Sequence, residues 1–148
     1  MEIFQRLALW EDAVSCYQMM EEYQKAEKLV LKLLEESPKS PKLHCILGDL
    51  QREPKHYEMA WSLSGCRYAR AMRSLGAYYF KKEEVNNSLI LTIQYRKSIE
   101  CYHKALAINP LFENSWFVMA CAAMKIKEWD IAVRALNRVT SLDSEVLH

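Results

Sequence analysis

The sequence predicts an all-α chain, a helical-repeat solenoid of about four antiparallel helix hairpins. Three observations carry this expectation. Glycine and proline are scarce, three and four in 148 residues, which suits helices joined by short loops rather than the many turns of a β fold. Large and small residues alternate at helical spacing through 115–143: Trp116, Met119 and Ala120 open one helix, and Ala132, Leu136 and Val139 recur along the next. Two antiparallel helices approach at small positions and interlock at large ones. Small residues also return at a regular interval. Ala26, Ala60, Ser98 and Ala132 mark the second helices at steps of 34, 38 and 34, and Val14, Gly48, Gly76 and Ala120 mark the first at steps of 34, 28 and 44.

The units follow in order. The first covers about 7–38: Trp10, Ala13, Val14 and Tyr17 share one helix, Ala26, Val30 and Leu33 the next, and Pro38 ends the hairpin because proline cannot continue a helix. Residues 2–9 read as the tail of an earlier helix. The second, 40–65, opens on Ser40-Pro41, a capping hydroxyl followed by proline in the first turn, and packs through Leu47, Gly48, Tyr57 and Ala60. The third, 67–110, holds Met72, Leu75, Gly76 and Tyr79, then Tyr95, Ser98, Tyr102 and Ala105, and stops at Pro110. A glycine in mid-helix costs about 1 kcal/mol relative to alanine, so close approach of the partner helix is the expected reason for Gly76. The fourth unit is 112–143.

Unit three is ten residues too long, and the surplus falls on Val85–Gln94. Removing it joins Phe-Lys-Lys-Glu-Glu to Tyr-Arg-Lys-Ser-Ile-Glu, an ordinary hairpin. Two readings stand: a loop or lengthened first helix, or ten residues translated from a retained very short intron, with Val encoded by a codon beginning GT and Gln by CAG. Asp143-Ser144 reads as the place where a further unit begins, with Glu145–His148 opening its first helix. Polar capping helices are expected at both ends of an array and neither is visible, so the chain is expected to be a fragment of a longer one.

Composition excludes several classes. Formal net charge is +1, which gives no whole-chain footprint of a nucleic-acid binder. No apolar run is long enough for a membrane span, and the Met-Glu-Ile-Phe-Gln-Arg start lacks the basic and apolar regions of a secretory signal. Cysteines stand at 16, 45, 66, 101 and 121, an odd count without Cys-x-x-Cys, and Cys16, Cys101 and Cys121 fall where a helix would face its neighbours. Free buried thiols in a reducing compartment are expected, hence cytoplasm, with nucleus as the alternative.

Several stretches resemble one family of tetratricopeptide-repeat proteins. They are Ile3-Phe4-Gln5-Arg6-Leu7 with Trp10-Glu11-Asp12, Leu47-Gly48-Asp49, Ala60-Trp61 with Leu63-Ser64, Arg67 and Ala69-Arg70-Ala71 with Arg73-Ser74, Ile108-Asn109-Pro110, and Trp116-Phe117. Together they are similar to the tetratricopeptide repeat protein 27 family, whose members are much longer than this chain; Val85–Gln94 departs from the pattern. The resemblance implies a non-enzymatic, intracellular helical-repeat protein and transfers no catalytic residues.

In such repeats the first helix of each hairpin lines a concave groove. Placing the chain on the repeat puts Glu11, Lys42, Asp49, Arg52, Arg70, Arg73, Phe117, Met124 and Lys125 there. Arg67, Arg70 and Arg73, spaced by three, read as a basic strip suited to carboxylates or phosphates on a partner. The competing reading is a solvated face paired with acids of a neighbouring unit. The partner contacts expected are Arg52, Arg70, Arg73, Phe117, Met124 and Lys125. The carboxylate clamp by which some of these domains read acidic chaperone tails is absent from this window: Glu11, Ser15 and Ile46 stand where it needs Lys and Asn.

Enzyme chemistry finds no support. His44-Cys45 and Cys101-Tyr102-His103 lack a second pair at zinc-ligand spacing, and the histidines at 44, 56, 103 and 148 form no triad pattern. Tyr23-Gln24-Lys25-Ala26-Glu27 and Lys81-Lys82-Glu83-Glu84 supply acid–base pairs on exposed helix faces. No cofactor, metal or small-molecule substrate is expected. The predicted function is a protein-interaction scaffold whose groove takes a partner peptide or helix, one with acidic groups among them. The alternatives are an RNA-binding helical repeat, or a structural segment of a larger array without a site of its own. Trp10, Trp116 and Tyr17 fall at packing positions, which weakens the RNA reading.

Overall fold

The computed structural model describes residues 2–82 and 87–146, with side chains for 9–82 and 87–142. Among the described residues there are eight helices and no strand: α1 (Glu2–Met19), α2 (Tyr23–Glu36), α3 (Pro41–Gln51), α4 (Pro54–Leu63), α5 (Ala69–Lys81), α6 (Ser88–Ile108), α7 (Glu113–Lys125) and α8 (Trp129–Val146). Each packs on the next in the chain, so the architecture is a linear stack of antiparallel hairpins.

Local chemistry sets the boundaries. The Leu43 N–H donates to Ser40 Oγ at 3.4 Å, and Pro41 fills the first turn of α3, where its missing N–H costs nothing. Asn87 Oδ1 accepts from the Leu89 N–H at 2.9 Å and starts α6 in the same way. Three hairpin turns carry one non-glycine residue in the left-handed region: Glu21 (φ 60), Arg52 (φ 53) and Lys127 (φ 62). In each turn the following N–H closes back on the helix, Glu22 to the Tyr17 carbonyl, Glu53 to Gly48 and Glu128 to Ala123. That is the Schellman arrangement, which answers carbonyls a helix end would leave unpaired.

The core is a chain of apolar clusters, each shared by successive hairpins. Val14, Ala26, Val30, Ile46 and Leu47 join α1, α2 and α3; Tyr57, Ala60, Met72, Leu75 and Ala105 join α4, α5 and α6; Tyr102, Met119, Ala120, Ala132 and Ala135 join α6, α7 and α8. The small residues sit at the crossings. A Cβ on Gly76 would lie 2.8 Å from the Tyr102 ring, and one on Gly48 would lie 2.8 Å from the Tyr57 ring. Close approach is thus the reason for both glycines. Ser98 Oγ donates to the Gly76 carbonyl at 2.8 Å across the same crossing.

Four sequence expectations change. Residues 2–9 begin α1 itself rather than belonging to an earlier helix. Of the surplus 85–94, residues 85 and 86 lie outside the described residues, and Ser88–Gln94 form the first turns of the second helix, α6, neither a loop nor an extension of the first helix. Asn87 supplies the cap, and Leu89-Ile90-Leu91-Thr92-Ile93 contains no residue that breaks a helix. Asp143–Val146 continue α8 and do not open a new helix; residues 147 and 148 lie outside the described residues. All five thiols are free, but Cys16 and Cys66 are exposed, Cys121 is half-buried, and only Cys45 and Cys101 are buried. Burial pushes the Cys45 and Cys101 thiols up to about 11.

Candidate binding groove

First helices approach one another and second helices do not. Among the described residues the backbone of α5 comes close to those of α3 and α7, whereas the backbones of α2, α4, α6 and α8 stay further apart. The gap between α6 and α8 is a cleft of about 740 Å³ reaching Trp116 and Met119 of α7. A stack that is tight on one side and splayed on the other curves, and the first helices occupy its inner side.

Polar ties bind that inner side together. Lys42 of α3 pairs with Glu11 of α1 at 2.9 Å. Arg70 of α5 pairs with Asp49 of α3 at 3.1 Å, and the same carboxylate accepts the Tyr57 hydroxyl at 2.5 Å. The Arg73 guanidinium stacks 4.0 Å from the ring centroid of Phe112, the residue that caps α7. Burial works against charge on Arg70, but hydrogen bonding to Tyr68 and the Asp49 carboxylate outweigh it and raise its pKa. Burial and the neighbouring Arg70 lower that of Arg73. Burial raises the Tyr57 pKa further than its bond to Asp49 does, so the hydroxyl stays protonated and remains the donor.

The predicted contact residues therefore fall into two groups. Arg70 and Arg73 are half-buried and each already engages a neighbouring element. Arg52, Phe117, Met124 and Lys125 are open. Phe117 is 51% exposed and Met124 38%; with Cys121 they lie at i, i+4 and i+7, one face of α7. Arg52 and Lys125 are exposed and form no ion pair among the described residues. Arg67 does not join a helical strip. It precedes α5, after a turn in which Gly65 (φ 67) and Cys66 (φ 62) are both left-handed.

Sequence reasoning named Arg52 and Asp49 for the groove but passed over the residues that meet them. Ser74, Tyr78, Lys81 and Lys82 line, together with Asp49, Arg52 and Tyr57, a cleft of about 810 Å³ between α3 and α5. The visible signal was the Lys81-Lys82 pair, read only as part of an exposed acid–base run; nothing local places it opposite Arg52. The described residues hold no cluster of three or more His, Cys, Asp or Glu able to hold a metal ion, and no helix is long and apolar enough to cross a membrane.

No family model matches the chain. Individual proteins do. The chain is 46% identical over 127 residues to the tetratricopeptide repeat protein 27 homolog of Dictyostelium discoideum, a match spanning 86% of this chain and 14% of that protein. The chain is a tetratricopeptide-repeat protein. It is also 36% identical over 138 residues to a repeat-containing protein of Schizosaccharomyces pombe, covering 93% of this chain and 16% of the relative. The chain therefore spans about one seventh of the curated relatives it matches. Among solved structures, MamA superposes with a TM-score of 0.73 at 20% identity, over 90% of this chain and 76% of that one, a likeness of fold alone. Helical pairing, stacked cores and named relatives agree on a helical-repeat architecture, which typically forms interaction modules without catalysis.

Proposed function

We infer that this chain is a section of a longer tetratricopeptide array, with hairpins divided near residues 39, 66 and 111, that binds a partner protein along its inner side without catalysing a reaction. The observation that supports the reading is the open face of α7, the first helix of its hairpin: Phe117 and Met124 are both exposed on it, and Lys125 follows them. Arg52, exposed at the end of α3, is a second contact in this reading. Two neighbouring large apolar side chains held out on a rigid helix provide contact area for a peptide or helix at little ordering cost. Arg70 and Arg73 contribute their open edges while holding the wall in shape, and the surplus Ser88–Gln94 belongs to α6 as a structural extension.

The test is partner recovery with the full-length protein, comparing wild type with Phe117→Ser/Met124→Ser. The double variant is expected to lose a recurrent set of partners while stability stays within about 0.5 kcal/mol, since both side chains are exposed. Unchanged recovery would remove α7 as the contact surface. Recovery of RNA rather than protein, falling steeply with salt, would replace the scaffold reading with a nucleic-acid one.

A further inference from the structure

The cleft between α3 and α5 is built differently from the apolar face of α7, and its composition names its ligand. Ser74, Ala77, Tyr78 and Lys81 follow one side of α5, and Lys82 follows directly after that helix. Arg52 faces them from α3. Its left-handed backbone (φ 53) ends the helix there, with its N–H closed on the Gly48 carbonyl, so the guanidinium springs from a fixed turn rather than a fraying end. Arg52, Lys81 and Lys82 are exposed, and none forms an ion pair among the described residues.

Asp49 is the acid of this cleft, and its charge is already answered. One carboxylate oxygen accepts the Tyr57 hydroxyl and the other accepts Arg70. Three cations thus share a concave site of about 810 Å³ with an acid that is paired elsewhere. The Ser74 and Tyr78 hydroxyls add neutral polar groups. Lys82 lies 5.8 Å from the Tyr78 ring centroid, so an aromatic surface underlies part of the cationic rim.

Resting on the scaffold reading, we propose that this cleft is the seat for a carboxylate-rich segment of the partner, an acidic peptide whose Asp or Glu side chains meet Arg52, Lys81 and Lys82. Arg52 offers a fork matched to one carboxylate, and the two lysines act as mobile point charges for others. A nucleic acid fits less well. Its affinity comes from a run of phosphates neutralised along a basic surface, whereas this chain has a net charge of +1 and brings only three cations together in this bounded cleft. The rival account of Lys81 is purely structural: it stands in the last turn of α5, where a cation offsets the helix dipole.

The experiment measures fluorescence anisotropy of a labelled Glu-rich peptide and of its Gln counterpart, titrated with the whole chain. The site variant is Arg52→Asn/Lys81→Gln; asparagine tolerates the left-handed turn. The charge-matched control is Lys28→Gln/Lys39→Gln, at exposed positions on α2 and in the α2–α3 connection. Thermal melts accompany each protein. The expected result is binding of the Glu peptide but not the Gln peptide, roughly tenfold weaker for the site variant and unchanged for the control. Equal binding of the two peptides, or equal loss in site variant and control, overturns the proposal. So does a site variant that melts lower but binds as wild type, which would leave Lys81 a dipole partner only. Tighter, variant-sensitive binding of a uridine oligonucleotide would assign the cleft to RNA instead. If the site variant changes nothing while Phe117→Ser/Met124→Ser still loses partners, only the acidic seat fails; if neither variant affects partner recovery, the scaffold reading fails with it.

Discussion

The two halves of this array solve one packing problem in different ways. In the hairpins α3–α4 and α5–α6 the first helix presents glycine to a tyrosine ring, Gly48 to Tyr57 and Gly76 to Tyr102. In α7–α8 the shared cluster is rich in fully buried alanines, Ala120, Ala122 and Ala123 from α7 and Ala135 from α8. The inner surfaces differ in parallel. Between α1 and α5 the charges are tied across helices, Lys42 to Glu11 and Arg70 to Asp49, whereas α7 turns Phe117 and Met124 outward. A tyrosine at a crossing fills volume and also offers a hydroxyl, and Tyr57 uses its own to anchor Asp49. The Tyr57 crossing thus ties a carboxylate in place, while α7 of the alanine crossing carries an exposed apolar pair.

The largest effect that would break this comparison is expected from Gly76→Ala. The added methyl meets the Tyr102 ring, which is 4% exposed and has little room to retreat. Overpacking of this kind costs about 1–3 kcal/mol, and alanine returns about 1 kcal/mol of helix propensity, so a net loss is expected in denaturant unfolding. Adding Tyr102→Leu should recover part of the loss, because the two substitutions share one volume. At the alanine crossing the opposite substitution is the destabilising one: Ala120→Gly removes a methyl from a fully buried position and costs about 1–2 kcal/mol. A neutral Gly76→Ala would mean that the ring does not set the spacing there.

Of intermediate size is the loss expected from Asp49→Asn. The amide keeps an acceptor for Tyr57 or Arg70 but no charge for either. Side chains in this pair are 33% and 37% exposed, so solvent screening holds the expected cost to about 1 kcal/mol. Salt sharpens the result: the difference between Asp49→Asn and wild type should shrink as ionic strength rises. A difference indifferent to salt would assign the effect to the Tyr57 hydrogen bond alone.

The fold was legible because it rests on spacing. Ala26, Ala60 and Ser98, found by counting intervals near 34, are completely buried, and Ser40-Pro41 caps α3 as that dipeptide suggests. The fold class needed nothing more, since one small residue per helix fixes which face meets its partner. The inner surface was only half legible. Asp49 and Arg70 are 21 residues apart on different helices, and no periodicity within one helix reveals such a pair. Arg67 was joined to Arg70 and Arg73 because a spacing of three assumes an unbroken helix, and the left-handed Gly65-Cys66 turn ends that assumption. Spacing suggests an excess at 85–94 but gives no destination for it; that Ser88–Gln94 start α6 follows from the Asn87 cap, a signal that interval counting does not use.

The smallest effect concerns pH and belongs to the polar half. His56, in the first turn of α4, bonds through Nε2 to Gln51 Oε1 at 2.7 Å. Burial, then the nearby Lys55 and His44, lower its pKa from the ordinary 6.5, and Glu53 opposes them only in part. The unfolded chain therefore takes up this proton more readily than the folded one. Stability from this residue is fully present above pH 6.5 and declines as pH falls below that value toward the folded pKa. His56→Gln keeps a polar side chain beside Gln51 and removes the titration. Between pH 7 and the onset of carboxylate protonation, its melting temperature should fall less than that of wild type. Identical slopes for the two proteins would mean that burial and the neighbouring cations do not act on His56 in the folded chain.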